Sequence, residues 1–279
     1  KKKIGIIGAG SICSKYLDVF GTMRQVQVVA ITSRTRSKAD KLKEDYGINK
    51  VYNHYNDMIT EEDLDLIIVL VSIDQTYTVT KDIIKHGITI LIEKPPGLNH
   101  NQSKNLSNLS VKFKTQIFVT LNRRFFSNFR KGIKLAEQAG GVNNIIIEGH
   151  ERFWNVKNRK KIVAENWIYA NSIHTIDLLR FFGGEVKKVK RIKKSLHEKN
   201  GDQFLSIIEF RNGATGSYFS NWYAPGGWSV KLFCNGLTIV FDPLEKGYYI
   251  DKQFNKKFFK EKKYDKKYKP GFYMQTISF

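Results

Sequence analysis

Residues 66–71 run Leu-Ile-Ile-Val-Leu-Val, apolar at every position and rich in β-branched side chains. A strand with one wet face alternates apolar with polar residues. A run without alternation fits a strand covered by helices on both faces, as in a parallel sheet. Its neighbours agree. Residues 4–8, 26–32, 65–72, 88–92 and 115–121 read as strands, and 11–23, 36–46 and 75–86 as helices between them. Strands alternating with helices imply right-handed βαβ crossovers.

After Asn122 the pattern changes. Helices are expected over 127–139 and 173–182, the second closed by Gly183-Gly184. Around them lie long strand-like stretches at 143–154, 186–195, 204–211, 214–223 and 228–234. Arg211-Asn212-Gly213 and Asn235-Gly236 supply the turns that hairpins demand. The expected fold class is α/β. A doubly wound parallel sheet over residues 1–121 forms a dinucleotide-binding domain. An α+β domain with a large, mostly antiparallel sheet follows over 122–279.

The chain's 41% hydrophobic residues are enough for a packed core. No apolar run approaches the ~18–20 residues of a membrane-spanning helix. Lys1-Lys2-Lys3 before an apolar run resembles a signal peptide, but the run is short and no small-residue cleavage site follows. Cys13 and Cys234 are the only cysteines, which speaks for a reducing, cytoplasmic setting. The formal net charge is +21, concentrated in the basic runs 187–194 and 252–269. Basic residues among aromatics suit a nucleic-acid surface; they equally suit solvated strands whose lysine stems cover apolar surface. No nucleic-acid recognition motif accompanies the charge, so the second reading is preferred. Anionic small ligands would also benefit from the field.

Gly8-Ala9-Gly10 follows the first strand and precedes Ser11 and Ile12 at the start of a helix. Glycines there allow a tight turn and close backbone approach to a pyrophosphate, which the helix N-terminus favours. A tight turn without a ligand is the alternative. Cys13 stands where G-x-G-x-x-G would place its third glycine, a mild departure. The second strand ends Thr32-Ser33-Arg34, without the acidic residue that holds a ribose 2′-hydroxyl. Ser33 and Arg34 suit a 2′-phosphate instead, so NADP is favoured over NAD, although Arg34 could equally be an exposed charge flanking a helix.

Glu93-Lys94-Pro95-Pro96 closes a strand at the sheet edge where open α/β sheets place ligands. A lysine there can hydrogen-bond a substrate oxygen and offset developing negative charge; a surface lysine beside a rigid turn is the alternative. In the second half, His174 and Asp177 are three apart and share one helix face. A histidine titrating near neutrality can exchange a proton with a hydroxyl, though a lone histidine beside apolar residues is often only a satisfied core group. No ligand spacing points to a metal. Trp154, Trp167 and Trp222 offer flat faces for a ring, or simply core packing.

Gly8-Ala9-Gly10, Glu93-Lys94-Pro95, Asn122-Arg123-Arg124-Phe125 and His174-Thr175-Ile176-Asp177, in this order, resemble the glucose–fructose oxidoreductase/inositol dehydrogenase (Gfo/Idh/MocA) family across almost the whole chain. The resemblance implies a Rossmann domain, then an open mixed sheet often used for homodimer or homotetramer contacts. It implies NAD(P)-dependent oxidation or reduction at a carbon of a sugar, sugar nucleotide or cyclitol. Lys94 is then the catalytic or substrate-orienting lysine and His174 the proton exchanger, with Asp177 holding the substrate or the histidine. Ser72, Asp74, Glu93 and Asn122 fall near the cofactor, and Arg124, Trp154 and Asn171 near the substrate. A non-catalytic dinucleotide-binding regulator, or a nucleic-acid-associated protein using the basic surface, is the rival reading.

The chain departs from the family pattern in three places. Ala170 stands where many members have an aspartate four residues before the histidine. Asp74 and Tyr77 replace an Asn and a His after the fourth strand. The chain stops at Phe279, where members usually continue through another helix.

Overall fold

The unbroken apolar runs become adjacent central strands. In the computed structural model, which describes residues 1–279, the chain opens β1 (Lys2–Ile7), α1 (Cys13–Phe20), β2 (Val26–Thr32), α2 (Arg36–Tyr46), β3 (Lys50–Tyr52) and α3 (Tyr55–Glu61). It continues β4 (Leu66–Val69), α4 (Thr76–Ile83), β5 (Thr89–Glu93), α5 (His100–Phe113) and β6 (Ile117–Thr120). The strands lie in the order β3-β2-β1-β4-β5-β6 with every pair parallel. This is the doubly wound Rossmann order. Alternate residues feed opposite faces. Ile4, Ile6, Ile31 and Ile68 enter one apolar cluster, while Ile7, Val29, Ile67 and Val69 enter another. Both faces are therefore dry, as continuous hydrophobicity requires.

Three elements between β1 and β6 lie outside the sequence reading: β3, α3 and α5. Helix α5 is rich in Asn and Ser and buries only Leu106, so it carries almost no apolar stripe. Its one local signal is Asn99, whose side chain accepts the Gln102 N–H at 2.9 Å as an N-cap.

The second unit contains α6 (Ser127–Gln138), β7 (Val142–Gly149), α7 (Phe153–Val156), α8 (Lys161–Glu165) and α9 (Ile173–Gly183). Then come β8 (Val186–Lys194), β9 (Gln203–Phe210), β10 (Thr215–Asn221), β11 (Trp228–Cys234), β12 (Leu237–Phe241), β13 (Gly247–Ile250), β14 (Lys256–Phe258) and α10 (Lys263–Lys267). Its eight-stranded sheet has the order β14-β13-β12-β11-β7-β10-β9-β8. All pairs are antiparallel except β7 with β10. Both glycine turns make hairpins, β9–β10 and β11–β12. The strand expected to run to residue 154 ends at Gly149, and Trp154 lies on the short helix α7.

The topology also explains the basic run 187–194 and, in the other run, Lys256 and Lys257. Strands β8 and β14 are the two edges of the larger sheet. Lysines on an edge strand discourage pairing with another chain. Residues 272–279 were expected with the second domain, and no helix was expected there; they form the last helix, α11 (Phe272–Ile277). It groups instead with residues 1–121, while the second unit spans Asn122–Gly271. The reason is local packing, since the Phe272 ring packs at a tilt against Tyr16, 5.2 Å between ring centres. No helix is long and apolar enough to cross a membrane.

Candidate functional site

In the first unit the strand order reverses between β1 and β4, the place where doubly wound sheets open a crevice at their carboxyl ends. Gly8 leaves β1 there with φ +112°, and a Cβ on it would lie 2.5 Å from the Leu70 carbonyl oxygen. No L side chain fits. Gly10 is exposed, and a Cβ on it would meet nothing nearer than 3.9 Å, so its backbone stays approachable. Ser11 and Ile12 lead into α1, whose N-terminus has no side-chain cap and no acidic residue in its first turn. The Cys13 N–H donates to the Gly10 carbonyl and the Lys15 N–H to that of Ile12, while the N–H groups of Ser11 and Ile12 suit an anion. Cys13 is fully buried among Ala9, Tyr16 and Leu70, and burial pushes its thiol up to about 12.

The β2 and β4 ends meet through side chains. Arg34 donates from Nη2 to Ser72 Oγ at 3.4 Å. Asp74 is held below the usual carboxylate range first by a hydrogen bond from Gln75, with Arg34's charge helping. Ser33 Oγ accepts from the Thr35 N–H at 3.3 Å. Arg36 is spoken for by Asp40 and Asn53.

At the end of β5, Glu93 accepts a 2.7 Å hydrogen bond from the fully buried Tyr16 hydroxyl, which itself accepts from Gln275 Nε2 at 3.1 Å. Burial, and then Glu93's charge, hold the Tyr16 hydroxyl well above its usual range. Lys94 follows, half-buried, with a cis peptide bond to Pro95.

In the second unit, residues 122–125 and helix α9 interlock. Asn122 is buried; its Nδ2 donates to the Pro270 carbonyl at 2.9 Å, and its Oδ1 accepts from Arg123 Nη1 at 2.6 Å. The same Arg123 nitrogen is 3.2 Å from His174 Nε2. A guanidinium can only donate, so Nε2 accepts and the neutral ring carries its hydrogen on Nδ1. Arg124 grips Asp177 with two bonds of 2.7 and 2.6 Å. Asp177 therefore faces Arg124, and Arg123, not Asp177, is the contact on His174 Nε2. Burial is deep for His174, at 4% exposed.

Beside this interlock lies a cavity of about 380 Å³, lined among others by Glu151, Arg152, Arg159, Asn171, Trp167 and Trp228. The Trp228 ring is 6.2 Å from that of His174. Trp154, in contrast, is 41% exposed and outside the cavity, and Trp222 is buried in a stack with Phe153. No cluster of three or more His, Cys, Asp or Glu side chains is arranged to hold a metal ion.

Residues 2–121 match the model of an oxidoreductase family with an NAD-binding Rossmann fold, GFO_IDH_MocA. Residues 147–240 match the GFO/IDH/MocA C-terminal domain. The chain belongs to the Gfo/Idh/MocA family. Among its relatives is trans-1,2-dihydrobenzene-1,2-diol dehydrogenase of Xenopus tropicalis, 27% identical over 74% of this chain and 64% of that protein. Inositol 2-dehydrogenase of Salmonella typhimurium is 24% identical over 76% of this chain and again 64% of its own length. The match thus spans under two thirds of these relatives. A putative NADPH-dependent oxidoreductase structure from Desulfitobacterium hafniense superposes with a TM-score of 0.81 at 17% identity, covering 94% of this chain and 83% of that one.

In this Gfo/Idh/MocA protein, the expected cofactor residues of the first unit gather at the carboxyl ends of β1, β2, β4 and β5. Asn122, Arg124, His174 and Asp177 meet in the interlock, and Asn171 lines the cavity. Sequence reasoning missed Tyr16, Arg123, Glu151 and Trp228. Arg123 alone had a signal, because it sits inside the 122–125 motif.

Proposed function

We propose that this chain is an NAD(P)-dependent oxidoreductase that moves a hydride to or from the carbon of a CH–OH group in a sugar, sugar nucleotide or cyclitol. The observation that carries the reading is the Gly8 turn. No side chain fits there, it lies where the strand order reverses, and it opens onto an uncapped helix N-terminus. That combination is a cradle for a pyrophosphate. Once bound, a nicotinamide cofactor supplies the hydride acceptor or donor. Lys94, just past β5, hydrogen-bonds the substrate oxygen and offsets charge developing on it. His174, whose Nε2 lone pair rests on Arg123, exchanges that contact for the substrate hydroxyl, takes up its proton at Nε2 as the hydroxyl becomes a carbonyl, and returns it in reverse. Asp177, gripped by Arg124, orients the 122–125 segment against α9. Asn171 reads the substrate from the cavity wall.

The relatives named for inositol and for dihydrobenzenediol support hydroxylated rings as the substrate class. NADP is the proposed preference, since β2 ends without an acidic residue and the Arg34 guanidinium makes a long hydrogen bond to Ser72 that a phosphate would replace. Subunits are proposed to pair through the open sheet face where Ile146, Leu205, Ile207 and Phe219 stand exposed. Light scattering that finds a monomer at micromolar concentration excludes that pairing.

The function test is turnover of NADPH and NADH fluorescence against a panel of sugars, sugar nucleotides and cyclitols. Lys94→Ala is expected to lose roughly 10²–10³ in kcat while still binding the cofactor. No turnover with any polyol, or full activity in Lys94→Ala, refutes the reading.

A further inference from the structure

Glu151 is a buried carboxylate that the mechanism above leaves unused. It follows β7 by two residues and is 4% exposed. Removing a carboxylate from water costs several kcal/mol unless hydrogen bonds replace the solvent. Here Oε2 accepts from Asn171 Nδ2 at 2.9 Å and Oε1 from Ser172 Oγ at 2.8 Å. Both donors belong to the π-helical turn Ile168–Ser172, which runs directly into α9 and so into His174. π-helical turns occur often at functional sites. Glu151 also lines the cavity shared with Asn171 and Trp228, and Trp228 packs near the His174 ring.

We propose that Glu151 reads a substrate hydroxyl in this cavity and, through its clamp on Asn171 and Ser172, sets the position of His174. A charged acceptor suits a hydroxylated ring, because an O–H donates to a carboxylate in a short, strong bond. The Trp228 indole supplies a flat apolar wall for the carbon face of the same ring. The proposal rests on the oxidoreductase reading, and the ligand class it names is a neutral polyol ring carrying at least one hydroxyl beside the reacting carbon.

The experiment compares wild type and Glu151→Gln on the best polyol of the panel and on its monodeoxy analogues. Glu151→Gln is expected to lower kcat/KM by roughly 30–100-fold, as for loss of a charged hydrogen bond. Against one deoxy analogue, the one lacking the hydroxyl that is read, wild type and variant should differ less than threefold. Affinity for the dinucleotide should stay within twofold, since the Gly8 turn is untouched. Ser172→Ala, which keeps the carboxylate and removes one clamp, should lower kcat with KM unchanged, and it serves as the second variant if Glu151→Gln fails to fold. Equal kcat/KM in wild type and Glu151→Gln overturns the proposal while leaving the oxidoreductase reading intact. So does a loss that is the same for every deoxy analogue, which marks a purely structural role. If wild type turns over no polyol, that reading fails and this inference falls with it.

Discussion

Gly8 and Gly10 occupy one turn, yet their physical reasons for being glycine differ, and two alanine substitutions separate them. At Gly8 the backbone has φ +112°, and an added Cβ would lie 2.5 Å from the Leu70 oxygen and 2.7 Å from its carbonyl carbon. Both are backbone atoms just past β4, so relief requires β1 and β4 to separate by most of an ångström. Backbone strain of roughly 1–3 kcal/mol and overpacking of roughly 1–3 kcal/mol together give about 4 kcal/mol. For a unit of this size that corresponds to a Tm drop of roughly 15 °C. At Gly10 the nearest atom to an added Cβ is 3.9 Å away and φ is not positive, so Gly10→Ala should change stability by less than about 0.5 kcal/mol. Its methyl group would stand instead where the pyrophosphate approaches, weakening dinucleotide binding by at least tenfold. Calorimetry and NADPH fluorescence titration read the two effects. A Gly8→Ala protein melting within 2 °C of wild type refutes the steric argument. A Gly10→Ala protein that binds dinucleotide normally refutes the cradle.

Three further outcomes follow from the same geometry. Asp177→Asn removes a bidentate partner from an arginine that is about one-third exposed, so solvent screening limits the loss to about 1–2 kcal/mol; a denaturation midpoint equal to wild type would count against the interlock. Tyr16→Phe deprives the Glu93 carboxylate of its donor and should cost roughly 1–3 kcal/mol at pH 7. The Tyr16 hydroxyl is held above its unfolded value, so its stabilising share is full below about pH 10 and lost as pH rises beyond it. Tyr218, pushed up to about 12 by burial, acts in the same sense. Stability curves should accordingly fall more steeply above pH ~10 in wild type than in Tyr16→Phe, and identical slopes would contradict this. Cys13, fully buried and with its thiol pushed up to about 12, should resist alkylation at pH 8 until the protein unfolds; mass spectrometry showing rapid native labelling at Cys13 would contradict its burial.

What the sequence determined by itself was local. The unbroken apolar strands required a sheet covered on both faces, and Asn212-Gly213 and Asn235-Gly236 required hairpins, because each constraint acts within a few residues. Gly8-x-Gly10 was legible for the same reason. Helix α5 was not, since polar Asn and Ser residues leave almost no stripe to read. Tertiary structure alone decided the partners. Arg123 meets His174 and Arg124 meets Asp177 across some fifty residues of chain. Glu151 clamps the turn before α9 from the end of a strand, and the tail helix α11 joins Tyr16 from the far end of the sequence. Composition cannot reveal such pairings, because a carboxylate or guanidinium has the same identity whether it is solvated or buried. Its role is fixed by which donor folding brings within three ångströms, and that depends on sheet order and helix packing rather than on spacing along the chain.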